Sequence, residues 1–261
     1  MKRINTFVKL IVVMLIACLA LTGCGAAADG DIAAVKDAGK LVVGITEYEP
    51  MDYLDDNGEW TGFDAEFARA VAAELGVEAE FIVIDWDNKF FELESGAIDC
   101  VWNGMTITQE ALANASVSDP YVINAQVVVM DKSKLADYTD AASLTDLVFA
   151  AEAGSAGEAA IKDAGIANCT SVLTQADALL EVASGSADAC VIDITMANAM
   201  TGEGTSYAEL GYSIQLTSEE YGIAFRKDSD LTAKVNELMA AMKADGTLPA
   251  LAEKYNLTLA D

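Results

Sequence analysis

Two stretches of this chain end in the same way, and that near-repetition limits the folds open to it. Ser95-Gly96-Ala97-Ile98-Asp99-Cys100 and Ser184-Gly185-Ser186-Ala187-Asp188-Ala189-Cys190 each close a helix-like run, turn on glycine and enter a short apolar strand. Before the first, Leu41-Val42-Val43-Gly44-Ile45 reads as a strand, Phe63, Phe67, Val71 and Leu75 recur at helical spacing until Gly76, and Phe81-Ile82-Val83-Ile84 reads as a second strand. Before the second, Leu147-Val148-Phe149-Ala150-Ala151 is a strand, 159–164 is helical and Thr170-Ser171-Val172-Leu173 is a strand again. A βαβαβ order run through twice predicts an α/β fold of two Rossmann-like lobes. Two long apolar strands remain, 126–130 and 221–226, and are expected to join the lobes as a two-strand hinge. The expected division is 38–125 with 219–261 for lobe 1 and 126–218 for lobe 2.

The first residues carry a different signal. Lys2 and Arg3 precede an apolar run from Phe7 to Leu21 and then Leu21-Thr22-Gly23-Cys24. A basic start, an apolar stretch too short to span a bilayer and small residues before a cleavage point describe a secretory leader over 1–23. Leu-Thr-Gly-Cys resembles the bacterial lipobox, which implies lipidation of Cys24 and a membrane-anchored tether over 24–37. Export to the outer face of the cell membrane follows as the expected location.

Loss of Lys2, Arg3 and Lys9 with the leader takes the 15 basic residues to 12 against 42 acidic ones, a net charge of 12 − 42 = −30. Such a surface repels nucleic acid and anionic membrane. The chain has no histidine, so the commonest general base and the commonest zinc ligand are both missing, and no metal or cofactor is expected. Cys100, Cys169 and Cys190 are too widely spaced for a disulfide framework and are expected to be free.

The apolar strand Val101-Trp102 stops at Asn103-Gly104, and Thr106 and Thr108 open the next helical run. Backbone N–H groups and hydroxyls at a strand's carboxyl end make a site for a small polar ligand, or an ordinary turn with a threonine cap. Gly154-Ser155-Ala156 occupies the matching place in the second half, and Asp193 ends its last strand.

Gly62-Phe63-Asp64, Trp86-Asp87, Ser95-Gly96-Ala97-Ile98-Asp99, Gly104-Met105-Thr106-Ile107-Thr108, Ser118-Asp119-Pro120-Tyr121, Gly154-Ser155 and Lys243-Ala244-Asp245-Gly246-Thr247 resemble, in order, the solute-binding proteins of polar amino-acid ABC importers. The resemblance implies a type II periplasmic-binding-protein fold, a monomer, and permease and ATPase partners. It also implies an amino acid captured between the lobes by hinge closure. Position by position, Tyr48 and Trp86 would be aromatic walls, Gly104 and Thr106 would face the ligand head, Ser155 with N–H groups near Ala156 would take a carboxylate, and Asp193 the ammonium. Glu47 and Asn103 are further candidates.

One departure stands out. The family's Thr-Ile-Thr-x-x-Arg, whose guanidinium grips the carboxylate, reads Thr106-Ile107-Thr108-Gln109-Glu110-Ala111 here. Three expectations stay open: helix starts with Thr106 and Ser155 hold the carboxylate, Lys89 replaces the arginine, or the ligand is a cationic or neutral solute without a carboxylate. A dehydratase-like enzyme on the same fold is the rival from another class.

Overall fold

The computed structural model describes residues 30–261. The leader at 1–23 and the lipid site Cys24 lie outside the described residues. Helix α1 (Asp31–Ala38) leads into β1 (Lys40–Ile45), the hairpin β2 (Tyr53–Leu54) and β3 (Trp60–Thr61), and helix α2 (Phe63–Leu75). Then come β4 (Glu78–Val83), a 3-10 turn Trp86–Asn88, α3 (Lys89–Ser95), β5 (Cys100–Val101), α4 (Gln109–Asn114), β6 (Ser116–Val117) and β7 (Val122–Asn124). The second half runs β8 (Gln126–Asp131), β9 (Phe149–Glu152), α5 (Ala156–Asp163), β10 (Cys169–Val172), α6 (Gln175–Ser184), β11 (Ala189–Asp193), α7 (Ile194–Met200) and β12 (Leu210–Gln215). The chain then returns through β13 (Glu219–Tyr221) and β14 (Ala224–Phe225) to α8 (Asp230–Asp245) and α9 (Thr247–Lys254).

Two five-stranded sheets form, in the orders β4-β1-β5-β14-β6 and β10-β9-β11-β8-β12. In each, the first strand lies parallel between the second and the third, and the fourth position is an antiparallel strand. That antiparallel strand is β14 in one sheet and β8 in the other, each laid down as the chain arrives from the opposite lobe. Segments 126–130 and 221–226, expected as the hinge, are therefore mostly sheet strands. The crossing pair lies a few residues earlier in each pass, where β7 and β13 run antiparallel as Glu219↔Asn124, Glu220↔Ile123 and Tyr221↔Val122. These short strands hold two glutamates and an asparagine and pair across about a hundred residues of sequence, so no local apolar run marks them.

A second correction concerns the tether expected to reach residue 37. Residues 31–38 form α1, and Arg226 ties it down: its Nη2 lies 3.1 Å from Asp31 Oδ1 and 3.1 Å from Asp99 Oδ1, while Nη1 donates to Ile98 O at 2.7 Å. A half-buried guanidinium bridging two carboxylates fixes this segment to the ends of the interior strands β5 and β14.

The lobe 1 core is aromatic. Phe67 packs edge-on against Trp102 with ring centroids 4.8 Å apart, Phe63 stacks on Tyr121, and all four are buried. In lobe 2, β9 separates β10 from β11, so Cys169 and Cys190 stand on either side of it, and both are free along with Cys100. Among the described residues no helix is long and apolar enough to cross a membrane.

Candidate ligand site

The carboxyl ends of β1, β5, β9 and β11 face one another, and the turns that follow them are built by side chains reaching back to the main chain. After β5, Asn103 is held on both ends of its amide: Thr46 N–H and Oγ1 donate to Oδ1 at 3.0 and 2.9 Å, and Nδ2 donates to Thr46 O at 2.9 Å and to Asp52 Oδ2 at 2.8 Å. Gly104 N–H donates to Asp64 Oδ2 at 2.6 Å, and Tyr121 OH to the same oxygen at 2.8 Å. Gly104 adopts φ +57°, and a Cβ there would lie 2.6 Å from the Tyr48 ring, so glycine is needed for both conformation and space. Thr108 caps α4 by accepting Ala111 N–H at 3.0 Å.

In lobe 2, Ser155 caps α5 by accepting Glu158 N–H at 3.1 Å, and Glu158 Oε2 accepts Gly154 N–H at 3.0 Å. Asp193 ends β11 with donors on both oxygens: Asn124 Nδ2 and Gln126 Nε2 (2.8 Å) on Oδ1, and Gln175 Nε2 on Oδ2. Its own N–H donates to Gln175 Oε1 at 2.8 Å. It stands at the N-cap position of α7 without bonding that helix.

Between these turns lies a cavity of about 330 Å³. Lobe 1 contributes Trp86, Lys89, Asn103, Gly104, Thr106 and Ala111, and lobe 2 contributes Glu152, Ser155, Ala156, Gln175 and Asp193. Of the candidates read from sequence, Trp86, Lys89, Asn103, Gly104, Thr106, Ser155, Ala156 and Asp193 share this one space.

Tyr48 and Glu47 do not. Glu47 is exposed and absent from the lining. Tyr48 is 2% exposed, its ring against Gly104 and its hydroxyl bonded to those of Thr195 and Tyr221. The bare Cα of Gly104 lets the ring sink below the cavity floor, where it joins the lobes instead of walling the ligand.

The lobes also meet through Lys89. Its Nζ donates to Gly154 O of lobe 2 at 2.9 Å and to Trp86 O at 3.1 Å, and it lies 5.0 Å from the centroids of both the Trp86 and Phe90 rings. Burial lowers the pKa of this ammonium, opposed by Glu110, Glu152, Asp87 and Asp85.

Burial dominates the electrostatics throughout. It pushes Asp193 up to about 7, with Glu219 adding to the rise, and Asp64 up to about 7. Glu152 rises to about 8 through burial and then the charge of Asp193, against Lys89 and Thr46, with Asp177 adding to the rise. Asp52 is also raised, by burial and then by Asp64. These carboxyls hold protons in the folded chain over a range, from about pH 4 to about pH 8, where the unfolded chain has released them. Their stabilisation is full at the acid end and is lost as pH rises through the folded values. The ligand-free protein should therefore melt higher at pH 5.5 than at pH 8, by about 5 °C. A calorimetric midpoint that is flat or climbs from pH 5.5 to 8 would show that they ionise in the fold as they do in the unfolded chain.

Glu152, Gln175 and Asp64 escaped the sequence reading. Glu152 follows the apolar run 149–151, and a carboxylate ending a strand before a Gly-Ser turn gives no local sign of burial. Asp64, in the first turn of α2, has the pattern of a residue complementing the helix dipole.

Comparison with known proteins agrees with this architecture. Residues 41–258 match the model of the bacterial extracellular solute-binding proteins, family 3. The chain is 31% identical over 233 residues to the L-cystine-binding protein TcyJ of Escherichia coli K12, covering 87% of this chain and 86% of that one. It is 31% identical to the arginine-binding extracellular protein ArtP of Bacillus subtilis, covering 95% and 97%. Among solved structures, a mutant of ArgBP from T. maritima superposes with a TM-score of 0.80 at 32% identity, covering 86% of this chain and 98% of that one. With two sheets of one topology, a cleft between their strand ends and a family match over nearly all described residues, this chain belongs to the family 3 bacterial extracellular solute-binding proteins.

Proposed function

We propose that this chain is the substrate-binding lipoprotein of an ABC importer. It captures a polar amino acid or close derivative between lobe 1 (38–125 with 219–261) and lobe 2 (126–218). Exported behind the leader and anchored through Cys24, it hands the ligand to a membrane permease and its ATPase, acting as a monomer by binding and not by turnover. The observation that carries this reading is the cavity itself. Both lobes line it, and β7 and β13 give a two-strand pivot. A ligand touching both walls favours the closed arrangement by its differential contacts.

The ligand's apolar part lies against Trp86, its ammonium toward Asp193, and its carboxylate toward Ser155, the first N–H groups of α5 and Lys89. Relatives named for cystine and arginine support an amino acid. Isothermal titration over the amino acids tests the reading. Trp86→Ala should weaken the best ligand at least tenfold, about 1.4 kcal/mol. It should also cost several degrees of melting temperature, because the ring packs with Leu93, Ile98 and Met105. Equal affinity in the variant would remove Trp86 from the site.

A solute without a carboxylate is the second reading, and specific contacts favour it. Thr106 Oγ1 already donates to Glu219 Oε1 at 2.8 Å, Gly104 N–H to Asp64 and Gly154 N–H to Glu158, while position 111 is alanine. Agmatine binding tighter than arginine in the same titrations would select it.

A further inference from the structure

Glu152 is the anomaly of the cleft. It is 2% exposed, lines the cavity, and its Oε1 has no hydrogen-bond partner, whereas both oxygens of neighbouring Asp193 are engaged by side-chain amides. A buried carboxylate with a bare oxygen is costly unless something positive meets it. Lys89, the one basic residue of the lining, does not hydrogen-bond it, because its ammonium is bonded to Trp86 O and Gly154 O. Glu110 and Asp163 add two exposed carboxyl groups at the rim, so the lining sets one ammonium against four acidic side chains.

Resting on the reading of this cleft as the ligand site, we infer that Glu152 receives the positive end of the ligand, and that the cleft selects a solute of net positive charge, an ammonium or guanidinium compound. Its place at the carboxyl end of β9, buried in a cavity lined by both lobes, keeps this side chain from water. There a salt link to the ligand is stronger than at a surface, and a neutral ligand leaves the acid unpaired. Asp193 still faces the α-ammonium, while Glu152 takes the further positive group that the charge pairs below add or remove.

Charge pairs of similar shape test this in the full chain: L-arginine against L-citrulline, and L-lysine against Nε-acetyl-lysine, by isothermal titration at pH 8. The cationic member of at least one pair should bind ten or more times tighter than its neutral partner. The ratio should fall below threefold in Glu152→Gln and persist in Glu152→Asp, a rescue that a purely structural role would not produce. Ligand-free Glu152→Gln should melt no lower than the native protein, since it removes an unpaired buried acid, so loss of fold does not account for the change. Neutral partners that bind as tightly as the cations, or a ratio unmoved in Glu152→Gln, would overturn the inference while leaving amino-acid capture intact. Binding of no amino acid in any form overturns both.

Discussion

Gly154→Ala is expected to weaken ligand binding by one to two orders of magnitude, about 1.4 to 2.7 kcal/mol. Gly154 adopts φ +67°, and a Cβ on it would lie 2.5 Å from Asp87 Oδ1 and 2.9 Å from Asp87 Cα, across the cleft in the other lobe. The side chain of Asp87 can swing aside, but its Cα belongs to the turn that carries Trp86 and cannot. Relief requires the lobes to part, and parting breaks the Lys89 to Gly154 hydrogen bond and pulls the two walls off the ligand. Alanine in this conformation also costs roughly 1–2 kcal/mol of fold stability whether the cleft is open or shut. Gly185→Ala separates the two effects. Gly185 has a similar φ of +79° at the end of α6 with nothing within 4 Å of its Cβ, so it should lose stability but not affinity. Small-angle scattering at saturating ligand should show Gly154→Ala more extended than the native protein. An unchanged dissociation constant and an unchanged radius would mean that the turn yields and closure does not depend on it.

The second large effect is expected at Asp193. Its replacement by alanine should cost binding a hundredfold or more and should also destabilise the fold by about 3 kcal/mol. The stability loss comes from what the carboxylate holds. Asn124 sits in the crossing strand β7, Gln126 opens β8 and Gln175 opens α6, and all three amides converge on it. Without it, Gln175 Nε2 is left buried with no acceptor, while Asn124 and Gln126 keep Glu219 Oε1. Asp193→Asn keeps the shape but, with its oxygen toward Asn124 and Gln126, sets an NH₂ against the amide donor of Gln175, so it should recover only part of the loss. At pH 5.5 the native carboxyl, with its pKa near 7, is mostly protonated in the fold and mostly ionised in the unfolded chain, so the stability gap between native protein and Asp193→Asn should widen there relative to pH 8. Chemical denaturation of both proteins at the two pH values reads this directly. A gap that stays constant or narrows on acidification would mean that the carboxylate stays ionised under its amides.

Much of the architecture was legible because it is written in local periodicity. The helix Phe63–Leu75 announces itself by apolar spacing and a terminal glycine, and β9, β10 and β11 by short apolar or β-branched runs. What failed depends on partners distant in sequence. Val122–Asn124 becomes a crossing strand only because Glu219–Tyr221 lies beside it, and Tyr48 is buried only because residue 104 has no side chain. The site divides in the same way. Trp86, Asn103, Gly104 and Ser155 stand where a strand ends and a turn begins, a position that chain order reveals. Glu152 has such a position too, but its importance lies in an Oε1 without a hydrogen-bond partner, which follows from where Lys89 and Asp193 spend their own bonds.

The ammonium of Lys89 grips main-chain oxygens on both sides of the cleft, a contact made by the protein's own atoms. A clasp of this kind lowers the free-energy gap between gaping and shut forms of the empty protein, so part of the idle population is already shut. If the chain serves an importer as proposed, such a molecule would meet its transporter wearing the shape of a loaded carrier. Idle ATP hydrolysis by the importer should then track the concentration of unloaded binding protein, and exchanging Lys89 for methionine is the change that would quiet it.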